Sequence, residues 1–192
     1  MSAGSRARRA ESEEEVTTVA NFSIRPATTT DIAGLTAIRN DVIATSTAIF
    51  NDQPETVEAR LAWFEAQAEK GFPVLVAVLP DGSNAGYASF GEFRSWPGYR
   101  YTVENAIHVH RDWRGHGIGR ALMETLIPLA VAGGKHVMIA GVDASNEASI
   151  QFHESLGFER TGTIKEVGHK FGRWLDLVFL QRWLDVPGAR RS

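Results

Sequence analysis

The sequence predicts a single α/β domain built on one largely antiparallel sheet. Three observations carry that expectation: a length of 192 residues, a hydrophobic content of 43%, and a mixed order of apolar periodicities, β α α β β β α β α β β, without internal repeat. A chain of this size can close one hydrophobic core. Helices that neither alternate strictly with strands nor segregate from them suit a mixed sheet. Charged content of 22% and a net charge of −3 are those of a soluble globular protein and point to no nucleic-acid or membrane partner. The absence of cysteine excludes disulfides, thiol catalysis and thiolate metal sites. No apolar run reaches membrane-spanning length.

Residues 1–20 pass from small to basic to acidic with no apolar h-region, so a disordered tail is expected rather than a signal peptide. "RARRA" within it is short and is followed by "ESEEE", a poor nucleic-acid arm. The domain is expected over 21–185, with a second tail at 186–192. Phe22 to Ala27 reads as a first strand. "TTTDIAGLTAIRNDVIA" opens with threonines that can cap a helix, and Ile32, Leu35 and Ile38 follow at helical spacing. "STAIFNDQP" is a loop. Residues 56–69 form a second helix, with Val57, Leu61 and Phe64 on one stripe and Gly71 at its end. "FPVLVAVL" and "AGYASFGEF", joined at "PDGSN", form a hairpin, and "RYTVENAIHVH" is the next strand. Residues 118–132 are helical, with Leu122, Leu126 and Leu129 facing inward and Pro128 predicting a kink or an early end. "KHVMIAGV" is a buried strand, "NEASIQFHESLGF" a short helix closed by Gly157, and "TGTIKEVGHKFGRWLDLVFLQRW" two strands around a glycine-containing turn.

Chemistry concentrates in "RDWRGHGIGRALM", residues 111–123. A Walker loop fails because Arg120 and Ala121, not Lys-Ser or Lys-Thr, follow Gly119. A dinucleotide fingerprint is out of register and too late in the chain. What remains is R-x-x-G-x-G, Arg114, Gly117 and Gly119: glycines that let backbone N–H groups at a helix start approach an anion, with a pyrophosphate as the natural guest. A glycine-rich turn without a ligand is the competing explanation. In "YTVENAIHVH", strand alternation puts Val103, Ile107 and Val109 on one face and Glu104, Ala106 and His108 on the other. By itself Glu104 reads either as a general base or as a solvated strand carboxylate.

R-x-x-G-x-G after a strand is the acetyl-CoA signature of the GNAT N-acetyltransferases, which this chain resembles. "NEASIQFHESLGF" is similar to the family's N-x-x-(S/A)-x-x-(F/L)-(Y/H)-x-x-x-G-F helix. "YASFGEFRSWPGYRYTVENAIHVH" and "VGHKFGRWLDLVFLQ" resemble the phosphinothricin and methionine sulfone/sulfoximine acetyltransferases in particular. The likeness spans about 160 residues, most of one domain. It implies a GNAT fold, a mixed, mostly antiparallel central sheet with helices on both faces. It also implies a cytoplasmic homodimer that uses acetyl-CoA and no metal, and that acetylates the α-amino group of a small amino acid or analogue by direct attack in a ternary complex.

The resemblance also assigns residues. Ile107, His108 and Val109 would line the pantetheine arm, with the Val109 N–H as oxyanion donor. Arg114, Gly115, His116, Gly117, Ile118, Gly119 and Arg120 would hold the pyrophosphate, and Asn146 and Ser155 would touch the coenzyme chain. Glu104 would deprotonate the amine, through water. His153 occupies the place of the wider family's tyrosine, either as proton donor to the departing thiolate or as a packed neighbour of the coenzyme. Phe50, Asn51, Arg94, Ser95 and Trp96 would line the acceptor pocket, Arg94 pairing with a carboxylate. Lys170, Phe171 and Trp174 would reach in from a facing subunit, although Trp174 reads better as sheet core. Two alternatives stand beside this reading: acetylation of protein or peptide N-termini, and a non-catalytic acyl-CoA-binding module.

Overall fold

A computed structural model describes residues 21–184; the tails expected at 1–20 and 186–192 lie outside the described residues. The element order is the expected one. Strand β1 (Ser23–Pro26) leads through a 3-10 turn at Thr29–Asp31 into helices α1 (Ile32–Thr45) and α2 (Val57–Glu69). Strands β2 (Val74–Val78), β3 (Asn84–Glu92) and β4 (Thr102–Val109) follow, then α3 (Ile118–Ala132), β5 (Val137–Asp143) and α4 (Glu147–Glu154). The hairpin β6 (Glu159–Lys170) and β7 (Arg173–Trp183) completes the order. The seven strands form one sheet, β1-β2-β3-β4-β5-β7-β6, in which only β4 and β5 run parallel.

Alternation along β2 explains why both faces carry helices. Leu75, Ala77 and Leu79 enter the larger core with Leu122, Met123 and Leu126 of α3 and Ile150 of α4. Val74 and Val76 face the opposite way, onto Leu35 and Ile38 of α1 and Tyr87 of β3. Sequence cues mark the helix ends. Thr56 Oγ1 accepts from Ala59 N–H (3.1 Å) at the start of α2, and Gly71, at φ 69°, ends it. Asn146 caps α4 through Ser149 N–H (3.1 Å).

Two expectations need correction, and one of the two outcomes expected at Pro128 is excluded. Of the expected α2 stripe, Leu61 and Phe64 are partly buried, but Val57 is 43% exposed, and the buried residue is Arg60, with Trp63, Phe64 and Gln67 partly buried beside it. Spacings of three, four and seven from Arg60 make one helix face, and a stripe read from apolar residues alone misses it. Leu129 is 40% exposed rather than inward, because Leu126 and Ala130 occupy that face. Pro128 does not end α3 early; the helix runs to Ala132.

Candidate active site

The parallel seam of the sheet is short. β4 and β5 pair only over Thr102–Glu104 against Val137–Ile139, whereas β3 stays paired to β4 as far as Val109. The His110 N–H donates to the Ala85 carbonyl (2.9 Å). By alternation, the even-numbered residues of β4 direct their peptide groups to β3, and Asn105, Ile107 and Val109 direct theirs into the opening beside β5. Asn105 bridges the opening with its side chain, Nδ2 donating to the Ile139 carbonyl (3.0 Å). Beyond it, the β4 edge is available for an extended ligand to pair as a strand would.

The glycine loop closes one end of that opening. Gly115 and Gly117 both have φ 81°, a left-handed backbone that side chains disfavour. Gly117 caps α3, and Ala121 N–H returns to its carbonyl (3.0 Å). The amides of Ile118, Gly119 and Arg120 therefore point out of the helix end, where the helix dipole favours an anion. Gly119 brings the start of α3 close to α4: a Cβ there would lie 3.4 Å from the Phe152 ring, in contact with it. These groups wall a cavity of about 540 Å³ with Ile107, Val109, Arg114, Arg120 and Asn146. Clustered backbone donors, two arginines and an apolar floor fit a diphosphate carrying an extended arm. His116 and Ser155 lie outside this wall. His116 Nδ1 donates to the Arg114 carbonyl (2.9 Å), and Ser155 Oγ accepts from Arg120 Nη2 (2.8 Å).

Two smaller cavities, of about 360 and 330 Å³, share Arg39, Glu104 and Ala106 in their walls. The first adjoins the large cavity, with Ile107, His108, Asn146 and Ser149 common to both. An adjoining series of spaces thus runs from the glycine loop past the β4–β5 opening to Glu104. The Glu104 carboxylate lies close over Gly141, where a Cβ would stand 3.0 Å from Oε1. Burial pushes its pKa up, against the opposing charge of Arg94. That moves a base toward its working pH. His108 lies against Tyr87, ring centroids 5.2 Å apart. Burial, then the charges of Arg39, Arg60 and Arg114, push its pKa down to about 3, so it is neutral.

His153 borders the 360 Å³ cavity with Glu104. It is buried, its Nδ1 donates to the Ser149 carbonyl (2.8 Å), and its Nε2 stands 3.3 Å from Asn105 Oδ1. Burial pushes its pKa down, and the Ser149 bond opposes this.

Other sequence candidates are not gathered here. Ser95 and Trp96 are exposed, Trp96 by 74%, and neither walls any of the three cavities. Arg94 is also outside those walls, its guanidinium 4.3 Å from the Phe93 ring centre, although its charge reaches Glu104. Phe50 packs over the bare Cα of Gly168, and Asn51 closes a turn on Gln53 (both bonds 3.0 Å). Lys170 is buried within its own chain rather than extended toward a neighbour. Its Nζ donates to the Ser46 and Ile49 carbonyls, both at 2.8 Å, and clamps the α1–α2 loop to the β6–β7 hairpin. Trp174 is 65% exposed, so the sheet-core reading fails.

The residues that sequence reasoning missed are charged groups on α1, α2 and their connection. Arg39 Nε donates to Glu55 Oε1 (2.6 Å). Arg60 Nη2 donates to the Tyr87 hydroxyl (2.7 Å), and its guanidinium stacks 4.0 Å from the Trp63 ring centre. An arginine inside the periodic stripe of α2 was the available signal.

A model of the acetyltransferase (GNAT) family matches residues 35–158. An L-methionine sulfoximine/L-methionine sulfone acetyltransferase of Pseudomonas paraeruginosa is 48% identical over 163 residues, 85% of this chain and 95% of that protein. The L-amino acid N-acyltransferase MnaT of Escherichia coli is 48% identical over 164 residues, with the same shares. The yncA protein of Salmonella typhimurium, solved with its cofactor acetyl-CoA, superposes with a TM-score of 0.84 at 47% identity, covering 90% of this chain and 99% of that one.

Proposed function

The chain belongs to the acetyltransferase (GNAT) family, and on that premise we propose that it moves an acetyl group from acetyl-CoA to the α-amino group of a small amino acid or amino-acid analogue. The observation that carries this reading is the series of adjoining cavities joining the glycine loop to Glu104 through the β4–β5 opening. The relatives that act on amino acids, and the fold neighbour that holds acetyl-CoA, support the same reading. Acceptor-side cavities of about 360 and 330 Å³ suit a short acceptor better than a long peptide. A carboxylate base beside the coenzyme cavity argues for an enzyme over a simple acyl-CoA-binding module.

Bound acetyl-CoA supplies an activated acetyl thioester. Arg114, Arg120 and the amides from Gly115 to Arg120 hold its diphosphate, with His116 at the loop's outer side. Ile107, His108 and Val109 line its arm, and Asn146 and Ser155 bound it from α4. The Val109 N–H, turned into the opening, donates to the carbonyl oxygen as negative charge grows on it. Glu104 accepts a proton from the acceptor ammonium, directly or through water, which frees the lone pair for attack within a ternary complex. His153 borders the acceptor-side cavity, and with its Nδ1–H committed to Ser149 and its pKa pushed down by burial it serves in this reading as a packed neighbour of the reacting groups. Arg94 tunes Glu104 from outside the cavity wall. Phe50 and Asn51 lie on the loop that Lys170 fixes, and with Ser95 and Trp96 they lie outside the cavity walls, so this reading gives them no direct contact with the acceptor. The site uses no metal in this reading.

The reading includes a cytoplasmic location, where acetyl-CoA is supplied, and a homodimer. Ile164, Val167, Phe171 and Trp174 of the β6–β7 hairpin are each about half exposed or more, which supports the dimer. The test is thiol release from acetyl-CoA across free amino acids, methionine sulfone, methionine sulfoximine, phosphinothricin and short peptides. Turnover with free amino acids or their analogues is expected; turnover with peptides alone refutes the acceptor class.

A further inference from the structure

We propose that Arg39 holds the carboxylate of the acceptor while Glu104 receives its ammonium, so that one side chain of α1 selects free amino acids over amines and peptides. This rests on the acceptor class just described.

Arg39 walls both acceptor-side cavities, as Glu104 and Ala106 do. Its side chain is 21% exposed, partly desolvated yet accessible from the cavity. A guanidinium carries five N–H donors in a planar fork. Glu55 takes the Nε donor, and Tyr87 interacts with the same group. Donors therefore remain for a ligand carboxylate, to which arginine bonds are charge-assisted and directional. The Arg39–Glu55 contact is not needed to hold the loop. Asn40 already fixes the Glu55 backbone, with Nδ2 donating to its carbonyl (2.9 Å) and Oδ1 accepting from its N–H (2.8 Å).

The floor between the two charges is bare. Glu104, Ala106 and His108 alternate on one face of β4, and the Ala106 methyl leaves room above it for an amino-acid Cα. His108 is neutral and adds no competing cation. A zwitterion carries its ammonium and carboxylate on one carbon, so it needs an acceptor and a donor across a small space; Glu104 and Arg39 provide that pair. A peptide would place a neutral amide where the carboxylate belongs. Arg94, the sequence candidate for this task, lies outside both cavities.

The experiment compares methionine sulfone with its α-carboxamide in the full-length enzyme and in Arg39→Met, Arg39→Lys and Arg94→Met. Two readouts are taken: kcat/KM, and calorimetric binding of each acceptor in the presence of CoA. The wild type should favour the acid. Arg39→Met should lower kcat/KM and affinity for the acid by about 10- to 100-fold while sparing the carboxamide. Arg39→Lys should keep the charge and part of the preference, which reads the role even if the methionine variant folds poorly. Arg94→Met should keep the preference. Equal losses for acid and carboxamide in both Arg39 variants overturn the assignment, as does loss of the preference in Arg94→Met alone. A wild type that acetylates no free amino acid or analogue instead overturns the acceptor class, and this assignment with it.

Discussion

Glu104 carries two opposing effects on one carboxyl. Burial raises its pKa and the Arg94 charge lowers it, with burial the larger. Two consequences follow for pH. The deprotonated form is the one that accepts a proton, so the acid limb of kcat/KM should lie above the ordinary glutamate value of 4.5, and Arg94→Met should move it further up. For folding, a carboxyl whose folded-state pKa is raised adds stability below the unfolded value and loses it as pH rises through the folded value. Glu104→Gln should therefore lower kcat about 10²-fold or more while leaving the thermal midpoint at pH 7 unchanged or higher. Steady-state thiol release and a thermal melt check the two halves. A variant that loses turnover only because it unfolds would contradict this account. A carboxylate interrupting an apolar alternation drew attention to Glu104, but that pattern also fits a solvated strand residue, and it was the family resemblance that assigned the role of base. Arg39 and Arg60 were not legible, since a charged residue on a helix ordinarily reads as a solvated face, and only the packing of α1 and α2 over β4 turns these two inward.

Elements impose their own constraints. Asp31 ties the start of α1 to the sheet. It accepts two bonds from Arg25 (2.8 and 2.9 Å), one from Thr28 N–H (2.8 Å) and one from Asn84 (3.1 Å). The Arg25 bond is the largest cause holding its carboxyl well below 3.8. A depressed folded-state pKa gives stability that is present above the unfolded value and lost as pH falls. Asp31→Asn should cost about 2 kcal/mol at neutral pH and flatten the loss of stability below about pH 4, measured by urea unfolding across pH. At the other end of the site, Gly117→Ala places a side chain at φ 81°. That strain, of about 1–2 kcal/mol, falls on the turn that aims the α3 amides. Calorimetry should show weaker CoA binding, and a thermal melt a midpoint lower by a few degrees. The helix ends were readable in advance, because caps and glycine stops act within a few residues. Leu129 and Val57 were misread because periodicity identifies a stripe without fixing how far around the helix the neighbouring elements reach.

Across the whole molecule, the β6–β7 hairpin presents Trp174 at 65% and Phe171 at 58% exposure. The described chain leaves these aromatics to solvent, whereas a second copy would cover them. Sedimentation should give a dimer for the wild type and a monomer for Trp174→Asp, and a monomeric wild type would remove the homodimer from the proposal. By itself the sequence determined the order of elements, the sheet type and the glycine loop, because periodicity, turn chemistry and the backbone freedom of glycine are local properties. Only the tertiary structure decided at which residue β4 parts from β5, that Lys170 is spent on its own loop, and that Arg39 and Glu104 wall the same cavities. Those outcomes depend on contacts between residues 34 to 124 positions apart, whose strength is set by burial and by opposing charge and leaves no periodic trace in the chain.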